Sequence, residues 1–144
     1  MTVRVGSTIM RAETTVLTDE GATPLMTDHV FWILEADIKA GQLDKLKALM
    51  REMVEGTQRD ELGALNYEWF IADDGKSLHL YERYADPDAV MVHRGNFAQK
   101  YRERFLTCVT ITKTTLYGNL NSEIRAAFGP SNRVYMSMAD GFAR

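Results

Sequence analysis

The sequence predicts an α+β fold: a β-α-β-β-α-β chain forming one four-stranded antiparallel sheet with both helices on one face. Three observations carry this. Four tracts rich in β-branched and aromatic residues alternate with two tracts of helical spacing, all between His29 and Gly118. The second and third strand tracts are joined by Asp73-Asp74-Gly75-Lys76, where glycine supplies the positive φ of a tight hairpin. The chain has 144 residues, which suits one domain. A domain of this size buries roughly 70% of its unfolded surface and folds without a disulfide or structural metal.

Residues 1–28 hold Gly6, Gly21, Pro24 and many threonines with no sustained period. They read as an arm with one short strand around residues 14–17. Residues 30–38 read as the first strand, with Val30, Trp32, Leu34, Ala36 and Ile38 on one face and Phe31, Ile33, Glu35 and Asp37 on the other. Residues 42–58 form the clearest helix. Leu43, Leu46, Met50, Met53 and Thr57 recur at spacings of three and four, with Leu49 and Val54 widening the stripe. Residues 65–72 and 77–85 are the second and third strands.

Asp86 is placed to cap the second helix, and Pro87 fits its first position, where no N–H bond is lost. Ala89, Val92, His93 and Phe97 follow at helical spacing. Gly95-Asn96 reads as an interruption, with Asn96 recapping a second piece through Leu106. Tyr101 and Phe105 continue the apolar stripe. Residues 107–117 are the fourth strand, with Cys108 at its start, and Gly118 ends it. Asn121 or Ser122 can cap a short helix through Phe128, and residues 133–138 suit a short fifth strand. The chain thus divides into an arm (1–28), an α+β domain (29–118) and a C-terminal extension (119–144).

Two helices hide one face of the sheet. The other would expose either the Trp32 set or the Phe31-Ile33 set, an apolar patch unusual on a monomer. A two-fold homodimer packed sheet to sheet is the expected remedy, with the arm and extension packing on the barrel or reaching the partner. The net charge of −3 and pI near 5.6 argue against nucleic acid as a partner. The longest apolar run, residues 30–34, is too short to span a membrane, so no membrane partner is expected. The single cysteine excludes an internal disulfide. With no secretory leader in evidence, the expected compartment is cytoplasmic.

His93 shares a helix face with Ala89 and Phe97 and should point at the sheet or the groove beside it. There it is either a proton-transfer group or a core histidine bonded to a strand. Glu82 lies between apolar neighbours and needs a partner if buried. His93 is one candidate, Glu35 could lie nearby, and an ion pair with Arg83 or Arg94 is the alternative. Trp32, Tyr67, Trp69, Phe97 and Tyr101 could wall a pocket for a small apolar or aromatic ligand, or simply fill the core and interface. His79 reads as facing solvent or the interface, and His29 as loop. Three scattered histidines give no metal-ligand spacing, so no metal site is expected. There is no Gly-rich phosphate loop and no Gly-x-Ser-x-Gly elbow.

Residues 80–101, LYERYADPDAVMVHRGNFAQKY, carry a strand, then Glu82, Tyr84, Asp86, Ala89, His93 and Phe97 in order. This segment resembles the strand-to-helix signature of the antibiotic biosynthesis monooxygenase-like family of dimeric α+β barrels, which are ferredoxin-like. Residues 61–67, ELGALNY, are similar to that family's helix-exit loop. The resemblance covers about residues 29–118. It implies cofactor-independent oxidation of an aromatic or polyketide-like phenol by O₂, with His93 as base or orienter and Glu82 as its partner. It also admits a non-catalytic ligand-binding or stress-response barrel. Haem degradation, known in relatives of the same fold, would need a histidine further along the second helix, and residues 96–101 contain none. No cofactor is expected.

Overall fold

The computed structural model describes residues 27–144. The strand expected at residues 14–17 lies outside the described residues. The elements are β1 (Val30–Ile38), α1 (Leu43–Asp60), β2 (Ala64–Ile71), β3 (Ser77–Tyr84), α2 (Pro87–Lys100), α3 (Arg102–Cys108), β4 (Val109–Gly118), α4 (Ser122–Phe128) and β5 (Arg133–Met136). The sheet order is β2-β3-β1-β4-β5. This is the ferredoxin-like α+β fold, with one correction to the expected sheet. It has five strands and is mixed, because β5 lies parallel to β4. The path through α4 reverses the chain between them, so β5 runs in the direction of β4.

Most local signals act as the sequence implies. The Asp86 carboxylate accepts from the Ala89 N–H at 2.8 Å, and Pro87 opens α2. Gly75 turns the hairpin with φ +69° while the Lys76 N–H donates to Asp74 Oδ1. The Asn121 side chain caps α4 by accepting from Ile124.

Two boundaries differ. Gly95-Asn96 does not interrupt α2, which runs to Lys100; the break falls at Tyr101, φ −127°. Burial decides this. Val90 and His93 anchor one piece, Phe105 and Cys108 the next, and the Asn96 side chain bonds Glu61 instead of capping. Cys108 also belongs to the end of α3 and not to β4, because it shares a buried helical face with Phe105. The threonine-rich tract pulls a sequence reading toward strand two residues too early.

In β1, Val30, Trp32 and Ala36 are buried under the helices, and the Phe31-Ile33 set faces the open side. Two apolar clusters fill the helix side of the sheet. One gathers Leu46, Met53, Leu78 and Phe105; the other gathers Val30, Trp32, Tyr84, Leu116 and Ile124. Among the described residues no helix is long and apolar enough to cross a membrane.

Gly118 closes β4 against the start of β1. It has φ +90°, and a Cβ there would collide with the His29 carbonyl oxygen. That oxygen also accepts the Asn119 N–H. Gly118→Ala is therefore expected to cost about 2 kcal/mol or more, through both strain and collision with backbone. Gly95→Ala is the control: its Cβ meets nothing within 4 Å in a helix interior. It should leave stability unchanged or raise it by about 1 kcal/mol. Thermal unfolding of the two variants checks both outcomes.

Candidate functional site: a buried histidine between two glutamates

His93 faces the sheet from the middle of α2, at the seam between the two apolar clusters. Its Nδ1 lies 2.8 Å from Glu61 Oε1 and its Nε2 lies 3.0 Å from Glu82 Oε1. The three side chains are 8%, 5% and 4% exposed, so this is an enclosed ionisable group. Glu82 projects from β3 toward the helices, and Glu61 caps the end of α1. Every carboxylate oxygen has a partner. Asn96 Nδ2 donates to Glu61 Oε2 at 3.3 Å, Tyr84 Oη donates to Glu82 Oε1 at 2.9 Å, and the Trp32 indole N–H donates to Glu82 Oε2.

Burial by itself would lower the pKa of this imidazole. The hydrogen bonds and charges of Glu61 and Glu82 outweigh it and push His93 up to about 9. At neutral pH the site therefore holds an imidazolium between two carboxylates. The Tyr67 and Tyr84 hydroxyls are driven well above their ordinary range, first by burial and then by the Glu82 charge. They stay neutral donors.

Aromatic rings surround the triad. Tyr67 meets His93 edge-on at 5.6 Å, Tyr84 lies at 5.0 Å, and Phe97 stacks at 6.4 Å. Trp32 stacks on Tyr84 at 5.0 Å. Tyr67 and Trp69 then form the inner wall of a groove between α1 and β2, completed by Met50, Arg51, Val54 and Glu55, with a volume of about 340 Å³. That lies at the lower end of small-ligand sites.

The structure thus brings together His93, Glu82, Trp32, Tyr67 and Phe97, with Trp69 one ring further out. Trp32 is only 3% exposed, so it braces the triad from within and does not line the groove. Tyr101 stands apart. Its hydroxyl packs against Gly56, and it lines a separate polar groove with Arg59, Lys100 and Arg104. The other partners considered for Glu82 are engaged elsewhere. Glu35 pairs with His79 at 3.4 Å, Arg83 bonds the Tyr81 hydroxyl and His29, and Arg94 bonds the Ala127 carbonyl.

Sequence reasoning did not single out Glu61 as a site residue. A signal was present. A carboxylate at a helix C-terminus opposes the helix dipole, so a glutamate there implies a nearby cation. His93 is that cation.

The model of the antibiotic biosynthesis monooxygenase family matches residues 29–110, more than half of the chain. The chain belongs to this family. Among solved structures, it is similar to MupZ from Pseudomonas fluorescens, with 21% identity and TM-score 0.72 over 82% of this chain and 96% of that one. It is similar to Rv0793 from Mycobacterium tuberculosis, with 28% identity and TM-score 0.55 over 65% of this chain and 97% of that one. It is also similar to SnoaB, a cofactor-independent oxygenase from Streptomyces nogalater, with 13% identity and TM-score 0.55 over 62% of this chain and 91% of that one. No curated protein matches the chain.

Proposed function

We propose that the protein is a cofactor-independent monooxygenase acting on a flat phenolic aromatic, with O₂ as oxygen donor and electron acceptor. The observation that carries this reading is an enclosed ionisable triad lined by aromatic rings that extend into a ligand-sized groove. In the reaction, a ring carbon para to the phenol gains one oxygen atom. Two hydrogens leave with the second oxygen as water, and four electrons pass from substrate to O₂ to give the quinone. Tyr67 and Trp69 hold the ring by stacking and edge contacts. At neutral pH His93 serves as an orienting donor. Only its neutral form can accept the substrate proton, so turnover should rise as pH climbs toward about 9. The test is oxygen uptake with a polycyclic phenol and no added cofactor. One O₂ consumed per quinone, with that pH dependence, is the expected result.

One observation favours a second reading, a barrel that binds such a ligand without reacting. Both nitrogens of His93 and all four glutamate oxygens already bond within the chain. A phenol that binds but consumes no O₂ would move this reading ahead.

The proposed assembly is a homodimer through the open sheet face. Ile33, Phe70 and Tyr81 line an apolar hollow there of about 500 Å³, and Phe70 is 57% exposed. Phe31 stacks on Tyr117 in the neighbouring rows. Sedimentation at micromolar concentration should give twice the chain mass of 16.3 kDa. A species at the single-chain mass would end this proposal.

A further inference from the structure

The C-terminal helix α4 lies beyond residues 29–110, the part of the chain shared with the family model. It packs on the triad's end of the helix layer. Ile124 is fully buried beside Val30, Trp32, Tyr84, Val90 and Leu116. Phe128, its last residue, meets the Trp32 ring edge-on, with centroids 5.1 Å apart at 64°. On another side of Phe128 lies the Arg94 guanidinium, 4.5 Å from the ring centroid. Arg94 Nη2 also donates to the Ala127 carbonyl at 2.8 Å, tying α4 to the residue next to His93. The result is a continuous chain of contacts: Arg94, Phe128, Trp32, Tyr84. Its last two members, Trp32 and Tyr84, are the groups that donate to Glu82.

We infer that Phe128 is a positioning residue for the triad: it fixes the Trp32 indole so that its N–H reaches Glu82, and it closes that end of the site to water. The family-matched region alone does not supply this layer. The extension is then part of the site's wall, and approach is left to the Tyr67–Trp69 groove. The inference stands whether the site oxidises its ligand or only binds it, because its readouts report on the triad itself.

The titratable groups that face His93 are Glu61 at the end of α1, Tyr67 on β2, and Glu82 and Tyr84 on β3. Water admitted beside Glu82 would screen the carboxylate that holds the imidazole charged.

The experiment uses the full chain with Trp69→Phe, which leaves Trp32 as its one tryptophan. In that background Phe128→Ala should make Trp32 fluorescence clearly more sensitive to acrylamide. By NMR titration, His93 should move down toward its ordinary value by about one unit. Arg94→Met leaves the ring but unties α4, and should shift both readouts the same way by less. It serves as the test if Phe128→Ala does not fold. A folded variant with unchanged quenching and unchanged His93 titration overturns the inference, whatever its melting temperature. Phe128 would then be ordinary packing.

Discussion

His93→Ala should lower turnover of a phenolic substrate by about 10²-fold, the usual contribution of a positioned proton-transfer group. The same change should destabilise the fold by about 3–5 kcal/mol, the cost of leaving buried charge without its partner. The stability part follows from geometry. Glu61 and Glu82 both lean on one imidazole, and both are almost wholly enclosed. Removing the ring takes the counter-charge from two carboxylates at once, leaving them only neutral donors. The activity part depends on the oxygenase reading. Melting temperature and oxygen uptake on one preparation separate the two parts. A variant that is strongly destabilised yet keeps full specific activity would remove His93 from the chemistry and leave it a structural ion-pair centre. Full stability would contradict the enclosed triad itself.

The second large effect is on stability against pH. His93 rises from an ordinary 6.5 to about 9 in the folded chain. A raised pKa means the folded state holds its proton more tightly. The stabilisation is therefore complete below pH 6.5 and is lost as pH rises through about 9. Each unit is worth about 1.4 kcal/mol, so the window carries on the order of 3 kcal/mol. Urea midpoints should fall steadily between pH 6.5 and pH 9.5. His93→Gln should flatten that slope. Staying below pH 10 matters, because Tyr67 and Tyr84 are held neutral by burial and would add their own loss above it. A native midpoint constant across the window would show that the two carboxylates do not hold the imidazole charged.

Much of the fold was legible because its signals are local. The Asp86-Pro87 start of α2, the Asp-Asp-Gly-Lys hairpin and the Asn121 cap each depend on a few neighbouring residues. What was not legible depends on tertiary contact. The break at Tyr101 answers to a hydroxyl packed on Gly56 of another helix. The parallel placement of β5 depends on how α4 docks, and no four-residue strand encodes that. In the site, periodicity put His93 on the inner helix face, and alternation put Glu82 on the face of Leu80 and Tyr84 without deciding that this face was inward. Their meeting is a register fact: Glu82 pairs across to Trp32 on one side and Tyr67 on the other, and all three point at α2. Glu61 was harder. It falls four residues after Thr57 but past the end of the predicted helix, and only the unfavourable helix end marked it. Tyr101 shows the opposite failure, since its place on the apolar stripe matched that of Phe97 while its ring turned to a different groove.

The position of β5 has a consequence for how this sheet meets other chains. Any exposed strand margin can template a foreign strand, and the risk grows with its length. By lying along Thr114–Tyr117, the four-residue β5 covers the second half of β4 and leaves only Val109–Lys113 open on that side. Among the described residues the longest open margin is β2, eight residues from Ala64 to Ile71, with Leu65 and Phe70 substantially exposed. Uncontrolled strand addition, whether as misassembly or as self-templated fibre growth, would start there. A lysine or proline introduced into β2 would guard this chain against aggregation more effectively than the same change in β5.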